Sequence, residues 1–80
     1  MAALPTPARS AHIFPLTERE ARHSARLWFI GTPSLTLTDW RDTRCGTHCI
    51  SLPFVPGRVE AFNEAYAEEL ASIIAGVNHE

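Results

Sequence analysis

The sequence predicts a small α+β domain: a helix, a two-stranded antiparallel hairpin, and a longer C-terminal amphipathic helix. Three observations predict it. Large apolar residues recur at spacings of three and four from Val59 onward, the period of a helix with one buried face. Apolar and polar residues alternate over Leu35–Thr38 and again from His48 to Phe54, the period of a half-buried strand. A capping pattern, Thr17 with Glu20 three positions on, opens an earlier helical stretch.

Residues 1–14 carry Pro5 and Pro7 and no clear period, so they are expected to form a flexible N-terminal tail. The compact domain is then residues 15–80. Its first helix runs from Glu18 to about Ile30, with Thr17 as the N-cap and Gly31 in the left-handed position beyond the end. Ala21, Ala25 and Trp28 make its apolar stripe. Arg19, Arg22 and Arg26 share the opposite side.

The hairpin follows. Leu35 and Leu37 alternate with Thr36 and Thr38, and threonine favours strands, which gives a strand over 35–41. "DTRCG" reads as the turn, with Gly46 permitting it. A second strand over 47–52 ends at Pro53. A competing reading makes Thr38 an N-cap and "DWRDTR" a helical turn.

Pro56 and Gly57 mark the entry to the last helix and Gly76 its exit. Val59, Phe62, Tyr66, Leu70, Ile73 and Val77 form its apolar stripe, and Glu60, Glu64 and Glu68 a second stripe beside it. The expected core is Trp28, Ile30, Leu35, Leu37, Ile50, Phe62, Tyr66, Leu70 and Ile73.

Eighty residues make one domain. A chain of this size buries only about 60% of the surface its unfolded form exposes. Its core is therefore thin, and a disulfide, a metal or a second subunit would help it. Two cysteines exclude a disulfide scaffold. No apolar run approaches the roughly 18 residues of a membrane helix. The proline-bearing start lacks the continuous apolar stretch of a secretory leader, and only faintly suggests an organellar presequence. A cytoplasmic protein with reduced thiols is expected.

The net charge of −2 hides an asymmetry. All seven basic residues are arginines at or before Arg58. With four acids among them, that part is net +3. The remainder carries five glutamates and no base, net −5. Such a dipolar chain suits a charged partner or a second copy of itself, so a homodimer is expected.

Three chemical readings compete. Cys45 and Cys49 have a spacing found in zinc sites, and His48 or His23 could add a ligand. His12 and His79 lie in the tail and at the terminus, and the paired histidines of a finger are missing. Two buried, structural cysteines are the plainer reading. A reactive thiol would need a lowered pKa and a base, which Arg44 and His48 could supply, but no known signature surrounds them. The face of Arg19, Arg22 and Arg26 could meet phosphate in a small nucleic-acid-binding regulator. A net negative domain without a groove-entering motif argues against that.

What remains is a small non-catalytic protein-binding module without a cofactor. Its partner-binding residues are expected on two charged helix faces: Glu60, Glu64 and Glu68 on one, Arg19, Arg22 and Arg26 on the other. A short acidic chain of this type is similar in size and charge to phage- or mobile-element-encoded inhibitors that block a larger host protein.

Overall fold

In a computed structural model, which describes the backbone of residues 14–78 and the side chains of residues 14–76, the chain forms three α-helices. They are α1, Pro15–Gly31; α2, Leu37–Ile50; and α3, Arg58–Asn78. No strand occurs among the described residues. The α+β expectation is therefore wrong, and α2 takes the place of the expected hairpin, covering all but the outer ends of its two strands. Of the expected tail, residues 1–14, all but the last lie outside the described residues. Phe14 is described and is buried.

Pro15 stands at the start of α1, where its fixed φ fits and its missing N–H is no loss. Phe14, not Thr17, is the N-cap, and it makes no side-chain capping bond. Thr17 is buried one turn in, and a hydrogen bond joins its Oγ1 to His48 Nε2 at 2.8 Å. Glu20 accepts from Arg44 Nη2 on α2 at 2.8 Å. The two residues that look like a capping box thus both reach across to α2. At the other end Gly31 is still helical, and Thr32 takes the left-handed conformation, φ 41° and ψ 59°. Its N–H closes on the Trp28 carbonyl at 2.9 Å.

Thr36 caps α2: its hydroxyl accepts from the Asp39 N–H at 3.1 Å, and Asp39 sits favourably against the helix N-terminus. The competing helical reading had the right kind of residue, a threonine N-cap, two positions late. The alternation that suggested strands straddles the ends of this helix. Leu35 precedes its cap, while Leu52 and Phe54 follow its last residue. Between them Leu37, Trp40, Arg41, Arg44, Cys45, His48 and Cys49 lie on the covered side at helical spacing.

Gly57 enters α3 with φ 96°, a conformation that a side chain would strain. A Cβ there would also stand 3.4 Å from the Phe14 ring. Gly76 does not end α3, which continues to Asn78.

Ala21 and Ala25 of α1, Cys45 of α2 and Phe62, Ala65 and Tyr66 of α3 make the central cluster, with Trp40, Cys49 and Leu70 packed against it. The α1–α3 contact is the most extensive of the three. Alanines on both helices allow it, since small side chains bring helix axes close. Of the expected core, Phe62 and Tyr66 are buried, and Leu70, Ile73, Leu37 and Trp28 are half-buried. Leu35 is exposed, as are Ile30 at 78% and Ile50 at 84%. Both isoleucines lie in the last turns of their helices and face outward, although Ile30 was expected to join the core from the first helix and Ile50 from the second strand.

Polar groups complete the packing. Trp40 Nε1 donates to the Ser24 carbonyl at 2.8 Å, Arg44 Nε donates to the Ser24 hydroxyl at 3.0 Å, and the Tyr66 hydroxyl donates to the Leu37 carbonyl at 2.9 Å. Each joins two helices. None was legible as a pair from the sequence.

Candidate docking site

The two expected charged faces meet only in part, at the surface of the α1–α3 pair. Arg22 Nη2 donates to Glu68 Oε1 at 2.8 Å, and its Nη1 lies 3.6 Å from Glu69 Oε1. Arg26 Nη1 donates to Glu69 Oε2 at 3.1 Å. The hydrogen bond to Glu68 is the main reason that the Arg22 guanidinium is held even more firmly protonated than usual, ahead of the attraction of nearby carboxylates. Glu60 and Glu64 are exposed on α3. Arg19 is exposed on α1 and makes no ion pair among the described residues. It lines an open groove of about 590 Å³ between α1 and α2, with Leu16, Glu20, His23, Arg26 and His48.

Cys45 and Cys49 are free thiols one turn apart on α2, the first buried and the second half-buried. Burial foremost, then the neighbouring Cys49, pushes the Cys45 thiol up to about 12. That is the opposite of what a nucleophile or a ready metal ligand requires. No group of three or more His, Cys, Asp and Glu side chains placed to hold a metal ion occurs among the described residues. His12 and His79 lie outside them. His48 is engaged with Thr17, and its ring centroid is 6.2 Å from that of Phe62. His23 is exposed in the α1–α2 groove.

A different feature dominates one end of the bundle, where the start of α1, the end of α2 and the start of α3 meet. The α2–α3 connection and its flanks present Ile50, Leu52, Phe54, Val55 and Val59 to solvent, with Phe54 at 88% and Ile50 at 84% exposure; Leu16 of α1 adds to them at 69%. Two depressions mark this end. One, of about 310 Å³, is lined by Phe14, Pro15, Leu16, Thr17, Val55 and Arg58. The other, of about 130 Å³, runs along Cys49, Leu52, Pro53, Phe54, Val55, Arg58 and Val59. Val55 and Arg58 belong to both. A single exposed leucine is ordinary, but a contiguous apolar surface on a small protein marks an interaction site.

The sequence did contain this signal. "ISLPFVPGRV" is an apolar run punctuated by two prolines, too broken to be a core element and too apolar for a plain linker. Reading it as strand followed by turn hid the exposure of Phe54.

No protein-family model matches the chain, and neither a curated protein nor a solved structure matches it. No helix among the described residues is long and apolar enough to cross a membrane.

Proposed function

We propose that the protein is a small non-catalytic binding module that docks onto a larger protein through the apolar end of its bundle. The observation that carries this reading is the exposure of Phe54, with Leu16, Leu52, Val55 and Val59 exposed around the same two depressions and Ile50 exposed at the end of α2. Burying one such side chain in an interface is worth about 1.5–3 kcal/mol, and aromatic anchors of this kind commonly dominate binding. An exposed Phe54 contributes nothing comparable to the fold, so its placement is understandable as a contact reserved for a partner. The exposed charges, Arg19 on α1 and Glu60 and Glu64 on α3, would steer approach rather than hold the complex. Acting as an inhibitor, by covering a surface on its target, requires no more chemistry than this.

The test compares the tagged wild-type chain with Phe54→Asp and Ile50→Asp, each checked for unchanged helical circular dichroism. The expected result is one protein retained in fixed stoichiometry by the wild type, resistant to nuclease and lost with either variant. Nuclease-sensitive retention, abolished by reversing Arg19 and Arg26 and indifferent to Phe54→Asp, would replace the reading with nucleic-acid binding. Sedimentation of the wild type supplies the other decisive outcome. A dimer that Phe54→Asp dissolves would give this surface to a second copy of the chain.

A further inference from the structure

Arg58 stands between the two apolar depressions and lines both. Its guanidinium carbon lies 5.2 Å from the centroid of the Phe14 ring. Among the described residues its covered Nε has no hydrogen-bond acceptor, and its Nη2 reaches only the Pro53 carbonyl, at 3.5 Å. Among the described residues no carboxylate comes within 4.0 Å of it. Arg22, Arg26, Arg41 and Arg44, by contrast, each have a carboxylate partner.

This is an unusual arginine on three physical grounds. A guanidinium against an aromatic face and partly shielded from water loses hydration that its single long contact does not restore. It is the first residue of α3, where the helix dipole disfavours a positive charge. And it interrupts a surface that is otherwise apolar, so it weakens any purely hydrophobic contact made there. The fold gains little from a charge in this place. A ligand that brings a carboxylate gains much, because a guanidinium held in place by an aromatic ring and bordered by apolar walls offers a planar fork in a locally dry setting.

We propose that Arg58 receives an aspartate or glutamate side chain of the partner, flanked in the partner's sequence by large apolar residues that enter the two depressions. The inference rests on the docking reading above and specifies the chemistry of what docks. Apolar side chains enter along Phe14 and Leu16 on one side and along Leu52 and Phe54 on the other, and the carboxylate between them meets the guanidinium. Arg58 thereby sets specificity, rejecting a wholly apolar or a basic segment.

The experiment is a selection from a random peptide display library against the full chain, repeated against Arg58→Met and Phe54→Asp. Thermal melts establish that each variant folds. Arg58→Gln serves in place of Arg58→Met if the latter does not. The expected outcome is a consensus with one Asp or Glu between large apolar residues. A synthetic peptide of that consensus should bind Arg58→Met at least tenfold more weakly than wild type, and its own Glu→Gln version should lose as much. A consensus without an acid, sensitive to Phe54→Asp and indifferent to Arg58→Met, overturns the role of Arg58 and leaves the docking reading standing. Selection of no peptide that depends on Phe54 overturns both.

Discussion

The Trp40 indole N–H donates to the main-chain carbonyl of Ser24 at 2.8 Å, tying the first turn of α2 to the middle of α1. Ser24 is fully buried, and its hydroxyl accepts from Arg44, whose guanidinium carbon lies 5.4 Å from the Trp40 ring centroid and whose Nη2 bonds Glu20. Four side chains thus lock α2 in register on α1. A net hydrogen bond of this kind contributes about 1 kcal/mol, and a buried group left without its partner costs about 1–3 kcal/mol. Trp40→Phe, which keeps most of the ring, should destabilise the protein by about 1–2 kcal/mol in urea denaturation followed by circular dichroism. Ser24→Ala strips the hydroxyl from Arg44 and should cost about 1 kcal/mol. Because both act through one network, the double variant should lose less than the two losses added together.

Gly46 gives a direct test of the helix that replaces the expected hairpin. It lies inside α2, with no atom within 4 Å of where a Cβ would stand and no positive φ. Glycine costs a helix interior about 0.8–1 kcal/mol relative to alanine. Gly46→Ala should therefore stabilise the protein by close to that amount and raise its helical circular dichroism signal. A turn glycine with positive φ would respond in the opposite direction, so a loss of stability would contradict the helix.

What could be read from the sequence, and what could not, follows from how far each signal reaches. The last helix was legible because Phe62, Tyr66, Leu70 and Ile73 repeat over several turns, and the first because Ala21 and Ala25 lie on one stripe. The face of α3 was read slightly off its centre. Large residues drew attention to Val59, which is exposed, whereas Ala61 and Ala65, which are buried, carry little weight in a hydrophobicity pattern. α2 does not read as a helix because its covered side is built largely from Trp40, Arg44, Cys45, His48 and Cys49, none of which is aliphatic. Its helical period is written in polar and aromatic residues whose partners lie on α1. The charged residues were legible as two faces, but not as partners of each other: the Arg22–Glu68 bond joins residues 46 positions apart. At the docking end the residues were in view and their exposure was not, since exposure depends on how the helices are packed.

The left-handed residue after α1 predicts a gain. Thr32 is β-branched and has φ 41°, a region that costs a non-glycine residue about 1–2 kcal/mol. Part of that is offset by its hydroxyl, which donates to the Gly31 carbonyl at 2.8 Å. Thr32→Gly should stabilise the domain by about 0.5–1 kcal/mol, seen as a higher midpoint in urea with an unchanged slope.

Alkaline pH should unfold the protein through Cys45. Burial raises its thiol from 9.0 to about 12, so the folded chain holds that proton more tightly than the unfolded chain. The resulting stabilisation is fully present below pH 9, decreases as pH rises from there, and is gone above about pH 12. Tyr66, also raised by burial, acts in the same direction starting from about pH 10. Cys45→Ala should flatten the fall that begins near pH 9, while lowering the plateau at neutral pH through lost packing. The same protection predicts reactivity. At pH 7.5, iodoacetamide should label Cys49 well before Cys45, and mass spectrometry of digested protein reads the order.

The bridges between α1 and α3 make the last prediction, because they decide what charge reversal on these helices means. Arg22, Arg26, Glu68 and Glu69 form one connected set across the helix pair. Arg22, Arg26 and Glu68 are substantially exposed, whereas Glu69 is mostly covered, with 16% of its side chain accessible. Exposed pairs contribute about 0–1 kcal/mol and weaken with salt. A double-mutant cycle on Arg22→Ala and Glu68→Ala should therefore give a coupling below about 1 kcal/mol that shrinks in 1 M sodium chloride. Glu69 has less solvent around it than Glu68, so Glu69→Ala should cost more than Glu68→Ala. Glu68→Arg places like charges opposite Arg22 and lowers stability, and Arg22→Glu in the same chain should restore part of the loss, the rest being held back by the new carboxylate's approach to Glu69. That rescue separates a fold effect from a binding effect. If Glu68→Arg weakens partner capture and the Arg22→Glu rescue restores it, the residue acts through the helix pair. If stability returns while capture does not, Glu68 touches the partner itself.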